Sequence, residues 1–363
     1  MKLLFYLGHP AHFYNVSQVI NRLQSAGHSI VFYARGKDVL FNIIDKLPFK
    51  IYRTKYIVSN NKIGFVFSVL KREYELFKIC IKERPHILVG TDIVITHIGK
   101  LLGIPSLILN EDDARAVPLF AKYGIKYSTY TLSPDCCDIS PYNDKKIGYC
   151  SYHELGYLHP NHFKPDQNIV KKYIDINLPY FILRFSNLKA HHDIGKKGIL
   201  DNEAYELIKL LETKGIVYIS SERKIRKDLE KYRIKIEPKD MHHILAQAKI
   251  FIGDSQTMSA EAGVLGTPFI RYNDFVGELG YLSELEKKYE LGYGIKPPEF
   301  DEVLRLAKKM IETINIKKIW GKKRDIMLSE KIDFSQYLFW LLNEYPDSIR
   351  KIKEEPKYQF IFK

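Results

Sequence analysis

The stretch GDSQTMSAEAGVLGTPFIRYND, residues 253–274, places Asp254, Ser255, Gln256 and Thr257 between an apolar run and a helix-period segment. A helix start carries partial positive charge and several unpaired amide donors, which suits a diphosphate. Ser255, Gln256 and Thr257 add hydroxyl and amide donors there, and Met258 continues the run of amides. Glu261 lies four residues beyond Thr257, one turn along, where a carboxylate can accept from both hydroxyls of a ribose. The competing reading is an ordinary capped helix with a surface glutamate.

Other chemical groups stand where strands are expected to end. GHPAHFYN (8–15) reads as a loop with His9 and His12 projecting from it, each a candidate base or hydrogen-bond donor near neutral pH. Asp92 and Glu111 follow the fourth and fifth candidate strands; Asp92 suits a helix N-cap equally well, and one of Glu111, Asp112 and Asp113 is expected to cap a helix starting near Ala114. Arg184, near a strand end, is placed to clamp a phosphate or to join a structural ion pair. His191, His192 and Asp193 look metal-like only superficially, because no further His or Cys stands at ligand spacing; no metal and no cofactor are expected.

These groups need elements to hold them. Short runs rich in Val, Ile, Tyr and Phe alternate with helix-period segments throughout, as in parallel α/β sheets. Strands are expected at 3–7, 29–34, 50–54, 86–90, 106–110 and 127–132, with helices at 16–26, 64–83 and 92–102. The pattern restarts after residue 165 with strands at 180–185, 216–221, 234–238, 249–254 and 267–272. Gly27 and Gly215 each close the first helix of a half, as left-handed caps do. Two doubly wound Rossmann-like domains facing across a cleft are expected, 1–165 and 166–333, with the segment 334–363 packing back on the first. Ligands of such sheets sit beyond the carboxyl ends of the strands.

Length and composition agree with two cores: 363 residues, 45% hydrophobic. The net charge of +13 favours an anionic partner, whether nucleotide phosphates, an acidic glycan or a membrane surface, although a solvated basic face explains it equally. No aromatic–basic motif or recognition helix points to nucleic acid. Four cysteines without a Cys-x-x-Cys pair suit neither a disulfide framework nor structural zinc. The opening MKLLFYL is too short an apolar core for a signal peptide, so a cytoplasmic protein is expected, with its basic surface held against the anionic inner leaflet.

The segment EPKDMHHILAQAKIFIGDSQTMSAEAGVLGTPFI (237–270) resembles the donor site of GT-B glycosyltransferases, particularly the N-acetylglucosaminyl transferase that completes the peptidoglycan lipid precursor. That resemblance implies that the loop around Met241 borders the base, the turn at Ser255 and Thr257 holds the diphosphate, and Glu261 binds ribose. It also implies metal-independent chemistry, with helix amides, Arg184 and Arg271 compensating the leaving diphosphate. GHPAHFYN, YHELGYLHPNHFKPD, LRFSNLKAHHDIGKKGI and GDSQTMSAEAGVLGTPFIR together resemble a bacterial and archaeal family of GT-B-type proteins without an assigned function. Asp92 and Glu111 resemble the acidic residues of non-hydrolysing UDP-N-acetylglucosamine 2-epimerases, but Gln256-Thr257 replaces the two glycines those enzymes carry at the phosphate turn. Three readings follow. The first is a glycosyltransferase using a nucleotide-sugar, expected to be a UDP-sugar, on a cell-surface polysaccharide or lipid-linked glycan, with His12 or Glu111 as base. The others are a sugar-nucleotide epimerase and a non-catalytic sugar-nucleotide or polyanion binder.

Overall fold

The computed structural model describes residues 1–36, 38–55, 62–186 and 198–363. The chain divides into two compact units: Met1–Tyr157 with Ile332–Lys363, and Leu158–Lys331. Each is a parallel sheet flanked by helices, and together they make a GT-B fold.

The first unit holds seven strands: β1 (Lys2–Leu7), β2 (Ser29–Gly36), β3 (Lys50–Lys55), β4 (Ile87–Gly90), β5 (Ser106–Leu109), β6 (Tyr130–Pro134) and β7 (Lys146–Tyr149). Their order is β3-β2-β1-β4-β5-β6-β7, all parallel. Strand pleating sorts β1 between two cores. Leu3, Phe5 and Leu7 join a cluster with Val16, Val19 and Ile20 of the Pro10–Ser25 helix and with Phe334, Tyr337 and Leu341 of the Phe334–Asn343 helix. Leu4 and Tyr6 face the opposite cluster, with Leu76, Ile79, Val94 and Ile98. The strand order reverses between β1 and β4, so the loops after them form the switch point where α/β sheets bind ligands.

The second unit holds β8 (Tyr180–Phe185), β9 (Ile216–Ser221), β10 (Ile250–Gly253), β11 (Phe269–Tyr272) and β12 (Gly292–Ile295), ordered β12-β11-β10-β8-β9 and parallel. Its switch point lies between β8 and β10.

Several expectations need correction. The run 234–238 is not a strand: Ile234 donates one backbone bond to Ile219, and Pro238 then opens a 3₁₀ turn, Pro238–Asp240. β7 and β12 escape the periodicity argument because each is four residues long and contains glycine. Gly27 does take a left-handed φ of 85°, but Gly215 is no such cap. Its helix, Asp201–Leu211, already ends at Glu212, and a Cβ on Gly215 would stand 2.1 Å from the Pro179 carbonyl oxygen. Close backbone approach, not a turn, demands that glycine.

Arg271 is also corrected. It lies on β11, wholly buried, with Nε donating to Glu286 Oε1 at 3.0 Å and Nη1 to Asn273 Oδ1 at 3.3 Å. A guanidinium so enclosed offers nothing to a diphosphate. Burial raises the Glu286 carboxyl, and Arg271 opposes that shift. Removing one member of a buried ion pair strands the other, typically at about 3–5 kcal/mol. Arg271→Met is therefore expected to lower urea-unfolding stability by about that amount, with Arg271→Met/Glu286→Met recovering much of it. A loss below about 1 kcal/mol in the single variant would contradict the assignment.

Candidate functional site

In the second unit, β10 delivers Asp254 and Ser255 to the Gln256–Val264 helix. Ser255 is the N-cap, its hydroxyl accepting from the Met258 amide at 3.3 Å. Capping serves one orphan donor, and the first-turn amides of Gln256 and Thr257 have no acceptor inside the helix. Both residues are half-buried, whereas Met258 is buried. Asp254 is nearly enclosed, and burial pushes its carboxyl up to about 6. Its Oδ1 accepts from the Ser186 amide at 2.6 Å, and a Cβ on Gly198 would lie 2.3 Å from its Oδ2. Asp254 thus ties the chain after β8 to the turn after β10, a positioning role and not a phosphate contact. His191, His192 and Asp193 lie outside the described residues.

Glu261 is 6% exposed, and not the surface glutamate of the competing reading. Its Oε1 meets Nε2 of His242 at 3.0 Å. His242 belongs to the short Met241–Gln247 helix and stands edge-on to Phe163, ring centroids 6.2 Å apart. Its neighbour Met241 lines an open groove of about 650 Å³ with Ser220, Ile234, Ile236, Glu237 and Pro238. Groove, His242–Glu261 pair and capped turn all belong to this one unit. Arg184, at the end of β8, donates to Ser220 Oγ at 2.7 Å and pairs with Glu222, so its charge is already matched.

The first unit gathers a second set of groups. His9 is the N-cap of the helix that starts at Pro10, its Nδ1 accepting from Ala11 at 3.2 Å; 8–15 is therefore a helix start and not a loop. His12, in the first turn, accepts from the Gly8 amide at Nδ1, 3.3 Å away, which leaves the proton on Nε2. Burial, then His9, lowers its pKa to about 3. Asp92 caps the Ile93–Leu102 helix through Val94 and is clamped by Arg72 at 2.5 Å and Arg35 at 3.7 Å. Arg72 also donates to the Tyr6 hydroxyl at 3.0 Å. No helix starts near Ala114; the next one begins at Pro118, and Asp113 instead accepts from the Asp138 amide.

Glu111 is the informative member of its acidic trio. Oε1 accepts from the His153 amide at 2.5 Å, and Oε2 lies 3.3 Å from His153 Nδ1. Burial raises the Glu111 carboxyl to about 8 and lowers His153 to about 3. Both shifts favour the neutral pair, with one proton between acid and imidazole. Asn15 Nδ2 lies 3.3 Å from the same Nδ1. Sequence reasoning missed His153, Asn15, Arg72 and His242. His153 and His242 do lie inside the segments 152–166 and 237–270, but nothing in their spacing pairs them with Glu111 and Glu261. Among the described residues no group of three or more His, Cys, Asp or Glu side chains is placed to hold a metal ion.

No family model matches the chain, and no curated protein matches it in sequence. Solved structures do match in fold. The Staphylococcus aureus MnaA–UDP co-structure superposes with a TM-score of 0.71 at 12% identity, covering 96% of this chain and 98% of that one. A putative UDP-N-acetylglucosamine 2-epimerase from Listeria monocytogenes gives 0.69 at 9%, covering 98% and 97%. The spinosyn rhamnosyltransferase SpnG, complexed with spinosyn aglycone, gives 0.59 at 11%, covering 92% and 98%. At these identities the likeness is one of architecture.

The neutral pair has a pH consequence. Between pH 6.5, where an unfolded histidine is half deprotonated, and pH 8, the raised Glu111 still holds a proton that an unfolded glutamate has released. The folded state binds the extra proton, so stability contributed by this group is present at low pH and falls as pH rises through 8. Urea unfolding from pH 6.5 to 8 should show wild type losing stability relative to Glu111→Gln; parallel curves would contradict the raised pKa.

Proposed function

We propose that the protein is a metal-independent glycosyltransferase. It takes a sugar from a nucleoside-diphosphate donor, a UDP-sugar, to a cell-surface polysaccharide or lipid-linked glycan. The observation that carries this is the buried Glu261–His242 pair one turn behind an amide-rich helix start at the sheet's switch point. A glutamate held by a histidine at that depth is pre-oriented to accept from two ribose hydroxyls. The Gln256 and Thr257 amides receive the diphosphate, and the groove at Met241 takes the base. In this reading the second unit binds the donor, and helix amides, not Arg184 or Arg271, compensate the charge of the leaving diphosphate.

The first unit supplies the proton acceptor. Asp92 is committed to Arg72 and Arg35, whereas Glu111 shares a single proton with His153, and His12 stands neutral nearby. As pH rises through about 8, Glu111 ionises and its carboxylate takes the acceptor's hydroxyl proton, the acceptor oxygen bonding the oxocarbenium-like sugar carbon as that carbon's bond to the diphosphate breaks. A sugar-nucleotide epimerase is the second reading, favoured by Asp92 and Glu111 standing at the carboxyl ends of β4 and β5 and by the fold shared with a putative 2-epimerase.

Titration calorimetry with UDP should show binding to wild type that weakens roughly ten- to hundredfold in Glu261→Ala, as for lost hydrogen bonds to a charged group. Equal affinity would remove the donor-site assignment. Incubation with UDP-N-acetylglucosamine in D₂O, without acceptor, separates the two chemistries. Deuterium at the sugar C2 would establish the epimerase, and the transferase reading predicts none.

A further inference from the structure

The Lys62–Glu83 helix buries one face in the first unit through Val69, Leu76, Ile79 and Cys80. Its opposite face is apolar as well. Ile63, Val66, Phe67, Leu70, Tyr74 and Ile81 are all more than half exposed, with Ile63 at 69% and Phe67 at 68%. At helical spacing these six occupy one stripe, spanning roughly a third of the circumference. Lys71, Lys78 and Lys82 follow one edge of that stripe, and Lys78 Nζ stands 5.0 Å from the centre of the Tyr74 ring. Lys71 also lies 3.8 Å from Glu75. Isolated exposed apolar residues are ordinary, but six in one stripe along about five turns of helix are not. A helix apolar on both faces is covered on both when it works.

We propose that this stripe docks on an anionic lipid surface. The apolar side chains enter the headgroup–acyl boundary, Tyr74 sits at headgroup level, and the lysine edge meets lipid phosphates. The net charge of +13 draws the whole molecule toward such a surface. The same charge argues against a second copy as the occupant. Two lysine-edged helices would bring like charges together, and lysine is depleted in protein interfaces. Contact is superficial, since among the described residues no helix is long and apolar enough to cross a membrane. The neighbouring surface has the same character: His97 bridges Glu73 and the Tyr123 carbonyl, in a segment that exposes Leu119 and Tyr123 beside Lys122 and Lys126. The inference stands independently of the sugar-transfer reading, and if both hold it brings the enzyme to lipid-linked acceptors.

Vesicle sedimentation tests it, with phosphatidylglycerol and phosphatidylcholine in equal parts against phosphatidylcholine alone. Wild type should sediment with the anionic vesicles only. Phe67→Glu/Leu70→Glu should abolish this, and Lys71→Glu/Lys78→Glu/Lys82→Glu should weaken it roughly tenfold or more. Circular dichroism and a cooperative urea-unfolding transition verify that each variant is folded. Three results would overturn the proposal: no sedimentation of wild type, sedimentation indifferent to the folded variants, or a dimer by light scattering that Phe67→Glu/Leu70→Glu converts to monomer. The last would make the stripe an interface between copies.

Discussion

A parallel sheet delivers every strand's carboxyl end, and the amino end of the helix that follows, to a single edge. That constraint organises this protein. It sets the Gln256–Val264 helix start beside the end of β8, and it brings His9, Asp92, Glu111 and His153 together from four separate connections of the other sheet. None of these residues is near the others in sequence except by passing through the sheet. The chemistry then depends on what each edge excludes: water from Glu111 and His153, and free solvent from Glu261.

Burial separates the groups that hold the site from those that can act in it. Asp92, Arg271 and Arg184 carry charges already matched by Arg72, Glu286 and Glu222. A matched charge in a low-dielectric setting is fixed in place and contributes orientation. Glu111, His153 and His12 are buried and settle in neutral forms, and of the three only Glu111, raised to about 8, exchanges its proton close to neutral pH. The turn at Ser255 uses neither device. Its donors are backbone amides, which need no counter-ion and cannot titrate.

The sequence made the architecture legible because strands such as LLFYL and HILVG are short, apolar and punctuated, and the loops after them are where ligands of such sheets bind. It failed where local pattern carries no tertiary information. IKIEP alternates like a strand, yet Pro238 and the tight turn after it take it out of the sheet. Arg271 reads as a strand-end cation, and only the fold reveals Glu286, fifteen residues on, closing over it. His153 and His242 look like any loop or helix histidine until the sheet brings Glu111 and Glu261 to them. Glu261 itself was readable from position, one turn into a helix after a strand, but its burial was not.

The most direct measurement is an amide chemical-shift map of the labelled protein titrated with UDP. The account predicts that the Gln256 and Thr257 amides move first and furthest, with Met241 and Glu261 following. Shifts confined to surface lysines and arginines, with the Gln256 and Thr257 amides unmoved, would contradict it.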